Sequence, residues 1–347
     1  MGAVNKIIGV CRFSYLGDAG FRTLAGGAEQ AAMELYAPGR MQRRFAYFEN
    51  ICLPSLDNQT DPDFVLVALI GDTMPFHFRK RLKRLADQHS YLRIATLEAA
   101  GPLNSTRRAF RRGLDEQEAD FITGFRLDDD DAVGADYIER TREISDTLIK
   151  LNWATAEVPA AVCFHRGIYW DMKRSEDQFW DYSEPQPLGL ASAMIAHPDS
   201  QHNIYRWNHR KLACNARCWI DPHDYMFVRT LHGHNDSDRS IPPGARPLPD
   251  WQARKLFRDR FGLNPKRLLP MMSKLQEEGS GLAQRLATQA RRKMVEGEAD
   301  MDEEFDGDFD DGLYGGFDDD LDEDLGADLG GGDFDDGDDR AGDERPT

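Results

Sequence analysis

Four consecutive carboxylates, Asp128 to Asp131, close an apolar run, Phe121-Ile122-Thr123-Gly124-Phe125-Arg126-Leu127, that reads as a buried strand. Burying even one unpaired carboxylate is costly, so four together at a strand end require a counter-charge. The natural one for hard oxygen ligands is a divalent cation such as Mg²⁺ or Mn²⁺, often shared with a phosphate. A solvated acidic loop is the plainer alternative, and spacing alone does not separate the two.

A second group able to do chemistry lies just upstream. Asn104-Ser105-Thr106 opens a segment with good N-cap residues, and four arginines follow it within ten residues. Arg107, Arg108 and Arg112 are suited to gripping phosphate as bidentate forks, or equally to covering a solvated helix face. His209, Cys214, Cys218 and His223 are close in sequence, but their gaps do not match zinc-finger spacings. A phosphate-binding loop of the P-loop type is absent, so a nucleotide hydrolase or kinase is unsupported.

These groups need a scaffold, and the hydrophobic pattern supplies one. Ile7–Cys11, Phe64–Ile70, Tyr91–Leu97 and Phe121–Leu127 read as buried parallel strands. Between them the spacing predicts helices over Met41–Leu56, from Pro75 to Gln88, and around residues 104–113; Gly134–Lys150 follows the fourth strand. Residues 17–40, rich in Gly and Ala, read as a loop with one helical turn. Four strand–helix alternations argue an α/β domain with a largely parallel sheet. Further strands are expected over 161–165, 167–170, 188–195 and 224–230, and helices over 251–261 and 265–278, with helix propensity to about Val295.

The charge is unevenly spread. Of the chain's −18, residues 296–347 carry 24 acidic and 2 basic groups, net −22, while residues 1–295 carry about +4. The body therefore offers no electrostatic footprint for nucleic acid. The tail cannot bury enough apolar surface to fold, so disorder is expected there, and its Phe residues could dock a partner weakly. Five scattered cysteines suggest no disulfide framework, and a reducing cytoplasm fits best. No stretch is long and apolar enough to span a bilayer, and the N-terminus lacks a signal-peptide layout.

Three segments in order carry a family resemblance: Cys11-Arg12-Phe13-Ser14-Tyr15, then Leu53-Pro54-Ser55-Leu56 with Gln59-Thr60-Asp61-Pro62-Asp63-Phe64, then Arg126-Leu127-Asp128-Asp129-Asp130-Asp131. With His232-Gly233-x-Asn235 downstream, the sequence resembles GT-A-fold glycosyltransferases, and more closely the bacterial group described as putative rhamnosyltransferases. The resemblance spans roughly residues 6–262. It implies a GT-A-like (Rossmann-like), mostly parallel sheet flanked by helices over 1–262. Within that, the nucleotide-sugar half would be about 1–150 and the acceptor half about 151–262, followed by a helical segment, 263–295, and the acidic tail, 296–347.

The resemblance also implies transfer of a sugar from a nucleotide-sugar donor to a glycan or lipid-linked acceptor, with peripheral membrane contact allowed. An Asp-x-Asp element would hold Mn²⁺ or Mg²⁺ on the diphosphate. Alternating residues of an extended strand share a face, so either Asp129 and Asp131 or Asp128 and Asp130 would point at the metal. We favour Asp129 and Asp131, with Asp128 nearer the ribose or sugar. His232 or His234 is the candidate third ligand, although a structural role is commoner for a lone histidine. Arg12 and Ser14 would lie near the nucleotide. If the anomeric centre is inverted, one carboxylate must deprotonate the acceptor, and Asp221 and Asp224 are the candidates. Trp170, Trp180, Trp207 and Trp219 could stack on sugar faces. The non-enzymatic alternative is a nucleotide- or glycan-binding scaffold with a partner-docking tail.

Overall fold

In the computed structural model, the described residues are 2–17, 27–115, 117–174, 176–232, 240–268, 270–271 and 274. The core begins with β1 (Asn5–Arg12), β2 (Val65–Gly71), β3 (Leu92–Leu97) and β4 (Phe121–Arg126), joined by α1 (Ala28–Leu35), α2 (Pro38–Tyr47), α3 (Leu53–Asp57), α4 (Phe76–Gln88) and α5 (Pro102–Leu114). Then come β5 (Ala132–Val133), α6 (Tyr137–Lys150), β6 (Ala160–Phe164), β7 (Arg166–Asp171), β8 (Phe179–Ser183) and β9 (Ser192–Ala196). The last elements are α7 (Leu212–Asn215), β10 (Arg217–Asp221), β11 (Phe227–Leu231), β12 (Arg246–Pro247) and α8 (Asp250–Phe261).

The central seven-stranded sheet has the order β10-β6-β9-β4-β1-β2-β3. Pairing is parallel from β4 through β1 and β2 to β3 and between β6 and β10; only β9 runs against its neighbours. The α/β, mostly parallel sheet expected of a GT-A-like chain is therefore present. A smaller sheet, β12-β8-β7-β11-β5, carries α8, whose Phe257 meets Trp170 edge-on at 5.2 Å.

Alternation along each strand builds two apolar layers. Ile8 and Val10 of β1 pack with Val67, Leu69, Ala109 and Phe110 beneath α5, while Ile7 and Cys11 join Leu66, Phe45 and Tyr137 on the opposite face. Gly9 is required by a close approach: a Cβ there would sit 2.3 Å from the buried ring of Phe125. Gly9→Ala should therefore destabilise the fold by about 1–3 kcal/mol through overpacking. Thermal unfolding at constant pH checks this.

Two helical segments differ from the sequence expectation, and β8 and β10 fall where no strand is expected. Residues 28–35 form a full helix, whose buried Ala31 and Leu35 were hidden in a Gly- and Ala-rich composition. The expected helix over Met41–Leu56 is real but contains a π-helical turn at Phe48–Cys52, where Leu53 N–H donates five residues back to Phe48 O. Pro54, with no N–H, falls in the first turn of α3 and is tolerated there. The expected helix at 265–278 is described only in part, and the tail lies outside the described residues. Among the described residues, no helix is long and apolar enough to cross a membrane.

Candidate functional site

Chain order reverses direction in the sheet between β1 and β4, because β1 leads to β2 on one side while β4 lies on the other. Ligands of open α/β sheets bind outside the carboxyl ends of strands at such a switch point. A cleft of about 290 Å³ opens there. Five arginines line it: Arg12 from the end of β1, Arg40 and Arg44 from α2, Arg126 from the end of β4 and Arg229 from β11. Ser14, Asp128, Asp130 and Asp131 line it too.

The aspartates arrive in a turn, not an extended strand: β4 ends at Arg126 and Asp131 N–H donates back to Asp128 O at 3.3 Å. The period-two rule therefore lapses, and each carboxylate meets a different environment. Asp128 receives both forks of Arg126, Nη2 at 2.7 Å and Nε at 3.3 Å. Burial would raise its carboxyl, but Arg126, with Arg12 and Arg44, holds it well below the usual range. Asp129 is fully buried, 2.6 Å from Arg44 Nε, and is not among the cleft-lining residues. Burial together with Asp130 and Asp128 pushes it up to about 7, against the pull of Arg44. Asp130 Oδ2 lies 2.9 Å from His232 Nε2, whose ring stacks on Tyr47 at 4.3 Å. Asp131 Oδ1 accepts from Thr230 N–H at 3.1 Å, and burial with its acidic neighbours raises its carboxyl.

The segment behind the aspartates is pinned by the Leu-Pro-Ser-Leu…Gln-Thr stretch. Ser55 Oγ accepts from Val133 N–H at 3.3 Å, Gln59 donates to Gly134 O at 2.8 Å and accepts from Ile138 N–H at 3.0 Å, and Thr60 N–H donates to Ala135 O at 2.8 Å. These bonds explain why that stretch and the aspartate run occur together: one clamps the exit of the other. On the β1 side, Ser14 holds a left-handed φ of 53° and its hydroxyl accepts from Arg40 at 3.1 Å. Tyr205 lies between Arg12 and Arg126, with both guanidinium carbons within 5.4 Å of its ring centroid, and its hydroxyl donates to Val10 O at 2.8 Å.

Of the residues singled out from sequence, the structure brings together Arg12, Ser14, Asp128 and Asp131 at the cleft, with His232 against Asp130. Of the favoured pair Asp129 and Asp131, Asp129 turns onto Arg44. His234 lies outside the described residues. Arg107 and Arg108 are not brought to the cleft, because the inner face of α5 is Ser105, Thr106, Ala109, Phe110 and Gly113. Asp221 and Asp224 both grip Arg140 of α6 and lie off the cleft. Asp221 ends β10, three strands from β4, or about 14 Å at ordinary strand spacing. Trp170 is wholly in the core, Trp219 is exposed at a sheet edge, and neither Trp180 nor Trp207 lines the cleft. Asp130, from the alternative pair, does line the cleft, whereas Arg40, Arg44 and Arg229 are not among the residues singled out from sequence. The i, i+4 pair Arg40 and Arg44, each next in sequence to a buried residue of α2, Met41 and Phe45, was the available signal.

A second cavity, about 530 Å³, adjoins the first and shares Leu188, His209 and Arg229 with it. Tyr169, Tyr182 and Glu184 line it, and the Tyr169 hydroxyl donates to the Glu184 carboxylate. Arg229 lies 5.7 Å from the Tyr169 ring and so stands between the two cavities. Burial, with Arg126, Arg210 and Arg229 nearby, lowers His209 to about 4, which keeps it neutral. An unfolded histidine titrates near 6.5, so the unfolded chain takes up this proton first and stability falls as pH drops from about 6.5 to 4. His209→Asn should flatten that part of a melting-temperature profile against pH.

Among the described residues no three His, Cys, Asp or Glu side chains form a ready metal cage. What the cleft does offer is the hard oxygens of Asp130 and Asp131, with His232 alongside. That donor set suits Mg²⁺ or Mn²⁺, which is commonly held by one or two carboxylates, substrate phosphates and water.

The family model described as "Putative rhamnosyl transferase" matches residues 6–244. A search of the curated proteins finds no match. Among solved structures, S. aureus TarS 1–349 in complex with UDP-GlcNAc is 14% identical over 70% of this chain and 62% of that one, with a TM-score of 0.34. GalNAc-T7 with UDP, GalNAc and Mn²⁺ is 8% identical over 66% and 44%, TM-score 0.34. A "putative nucleotide-diphospho-sugar transferase" from Desulfovibrio desulfuricans G20 is 10% identical over 79% and 97%, TM-score 0.34. The chain thus spans less than two thirds of the TarS structure. The family match covers well over half of the 347 residues, and the chain belongs to the rhamnosyl transferase family that it describes.

Proposed function

We propose that the protein is a metal-dependent glycosyltransferase that moves a sugar, rhamnose by its family, from a nucleotide-sugar donor to a hydroxyl acceptor. The observation that carries this reading is the meeting of five arginines with Asp128, Asp130 and Asp131 at the β1–β4 switch point. Asp130 and Asp131, with His232 beside them, would hold Mn²⁺ or Mg²⁺. Bound there, the cation would neutralise charge on the departing diphosphate.

The chain's own groups have separable tasks. Arg12, Arg40 and Arg229 set positive charge around the phosphates, so a leaving diphosphate meets fixed cations instead of water. Arg126 is oriented by Asp128 and by the Tyr205 ring, which leaves its geometry fixed before any ligand arrives. The Tyr-lined cavity beyond Arg229 suits a glycan or other polyhydroxyl acceptor. Glu184 on its wall is the carboxylate placed to take the acceptor proton, held by the Tyr169 hydroxyl. Glu184→Gln should lower turnover by on the order of 100-fold while leaving donor-nucleotide affinity unchanged.

A screen of UDP-, GDP- and dTDP-sugars for hydrolysis with Mn²⁺ or Mg²⁺ tests the reading. One donor class should be consumed, and EDTA should abolish its consumption. Nucleotide binding without turnover of any donor would favour the non-catalytic binding protein instead.

A further inference from the structure

The outer edge of the central sheet is formed by β10, and among the described residues no strand pairs with its far side. Edge strands expose a row of backbone donors and acceptors, and soluble chains usually blunt such edges with charge, proline or a covering element. Here the middle of the strand is apolar and open. Trp219 is 46% and Ile220 44% exposed, and as neighbours in a strand they point to opposite faces, so neither face is covered.

The edge continues into the connection between α6 and β6. Arg217 begins β10 opposite Ala160, and its guanidinium donates to the carbonyls of Asn152 and Trp153 at 3.3 and 3.2 Å. That contact ties the segment that carries Leu151, Trp153 and Val158, all exposed, to the first residue of the strand. Five of the nine exposed large apolar side chains among the described residues therefore lie on this strand or on the segment that Arg217 ties to it. Such concentration marks an interaction surface, not scattered surface apolarity.

We propose that the occupant is a second copy of this chain, paired through β10 in an antiparallel, two-fold arrangement that joins the two central sheets. The strand Arg217-Cys218-Trp219-Ile220-Asp221 is self-complementary when reversed. Centred on Trp219, Arg217 of one copy faces Asp221 of the other, Cys218 faces Ile220, and Trp219 faces its own symmetry mate. A two-fold interface must be self-complementary in this sense. The aromatic pair at the axis and the apolar diagonal neighbours supply cross-strand contacts. The terminal charges fix register more than affinity, since Asp221 already has Arg140. The interface is separate from the cleft and does not depend on sugar transfer.

Light scattering coupled to gel filtration, on the full chain at tens of micromolar, should give twice the chain mass of 39.4 kDa. Trp219→Lys and Ile220→Lys, both on the open edge, should each give a monomer with an unchanged melting temperature for the folded body. Trp219→Cys in a Cys214→Ser, Cys218→Ser background should cross-link to itself under a mild oxidant, because only the axial residue meets its own copy. A monomeric wild type overturns the proposal. So does a dimer that survives both lysine substitutions, or a dimer in which Trp219→Cys fails to cross-link while another edge position succeeds.

Discussion

Asp130→Ala should abolish metal-dependent donor turnover, with a loss on the order of 100-fold or more, while the fold survives. Asp130 is one of two carboxylates that the cleft offers as hard donors, and it is the one joined to His232. Its main-chain carbonyl accepts from the Thr230 hydroxyl at 2.7 Å, and that bond is kept in the variant, so the loop is held by the same backbone contact. Removing the side chain takes away charge and a donor atom without cutting the segment loose. Turnover of the identified donor against Mn²⁺ concentration checks this. A variant that keeps wild-type turnover and the same metal dependence would exclude Asp130 from the metal set.

Arg44→Ala should destabilise the protein by about 3–5 kcal/mol, because it strands a wholly buried carboxylate. Asp129 has no solvent exposure, and its Oδ1 has no hydrogen-bond partner among the described residues, so removing Arg44 takes away the charge that lies against it. The loss should be smaller at pH 6 than at pH 8. Burial already raises this carboxyl to about 7, and without the arginine it rises further. Protonation at the lower pH then removes the stranded charge. The double variant Arg44→Met, Asp129→Leu should recover most of the stability, since an apolar pair can replace a buried ion pair without the desolvation cost. Urea unfolding of the wild type and both variants at the two pH values checks this.

The legible part of this molecule was its interior. β1, β2 and β4 carry contiguous apolar runs because both faces of a parallel sheet are covered there, whereas β3, at the sheet's edge, alternates with exposed Arg93 and Thr96. β8 and β10 escaped notice for the opposite reason: Phe-Trp-Asp-Tyr-Ser and Arg-Cys-Trp-Ile-Asp mix polar with aromatic residues, since each has a side open to solvent or to a neighbour. The acidic run was legible because four carboxylates in a row have few uses. Its orientation was not, because the turn at Asp128–Asp131 replaces strand alternation with individual partners, Arg126, Arg44, His232 and Thr230.

The cationic wall of the cleft was the hardest part to read. Arg40 and Arg229 are separated by nearly 190 residues, and they meet because Arg40 bonds Ser14 beyond the end of β1 while Thr230 of β11 bonds Asp130 and Asp131. The denser arginine cluster on α5 drew attention by proximity in sequence, yet its inner face is small and apolar. Similarly, Asp221 and Asp224 stand together because both bind Arg140, an ion-pair relation that sequence spacing cannot distinguish from a catalytic pair.

If the proposed function holds, a nucleoside diphosphate and a divalent cation share the β1–β4 cleft. Calorimetric titration of UDP, GDP and dTDP into the protein, with Mn²⁺ and then with EDTA, measures it directly. One of the three should bind with Mn²⁺ present, weaken at least tenfold on chelation, and weaken comparably in Asp130→Ala. Affinity unchanged by EDTA and by Asp130→Ala would contradict the claim.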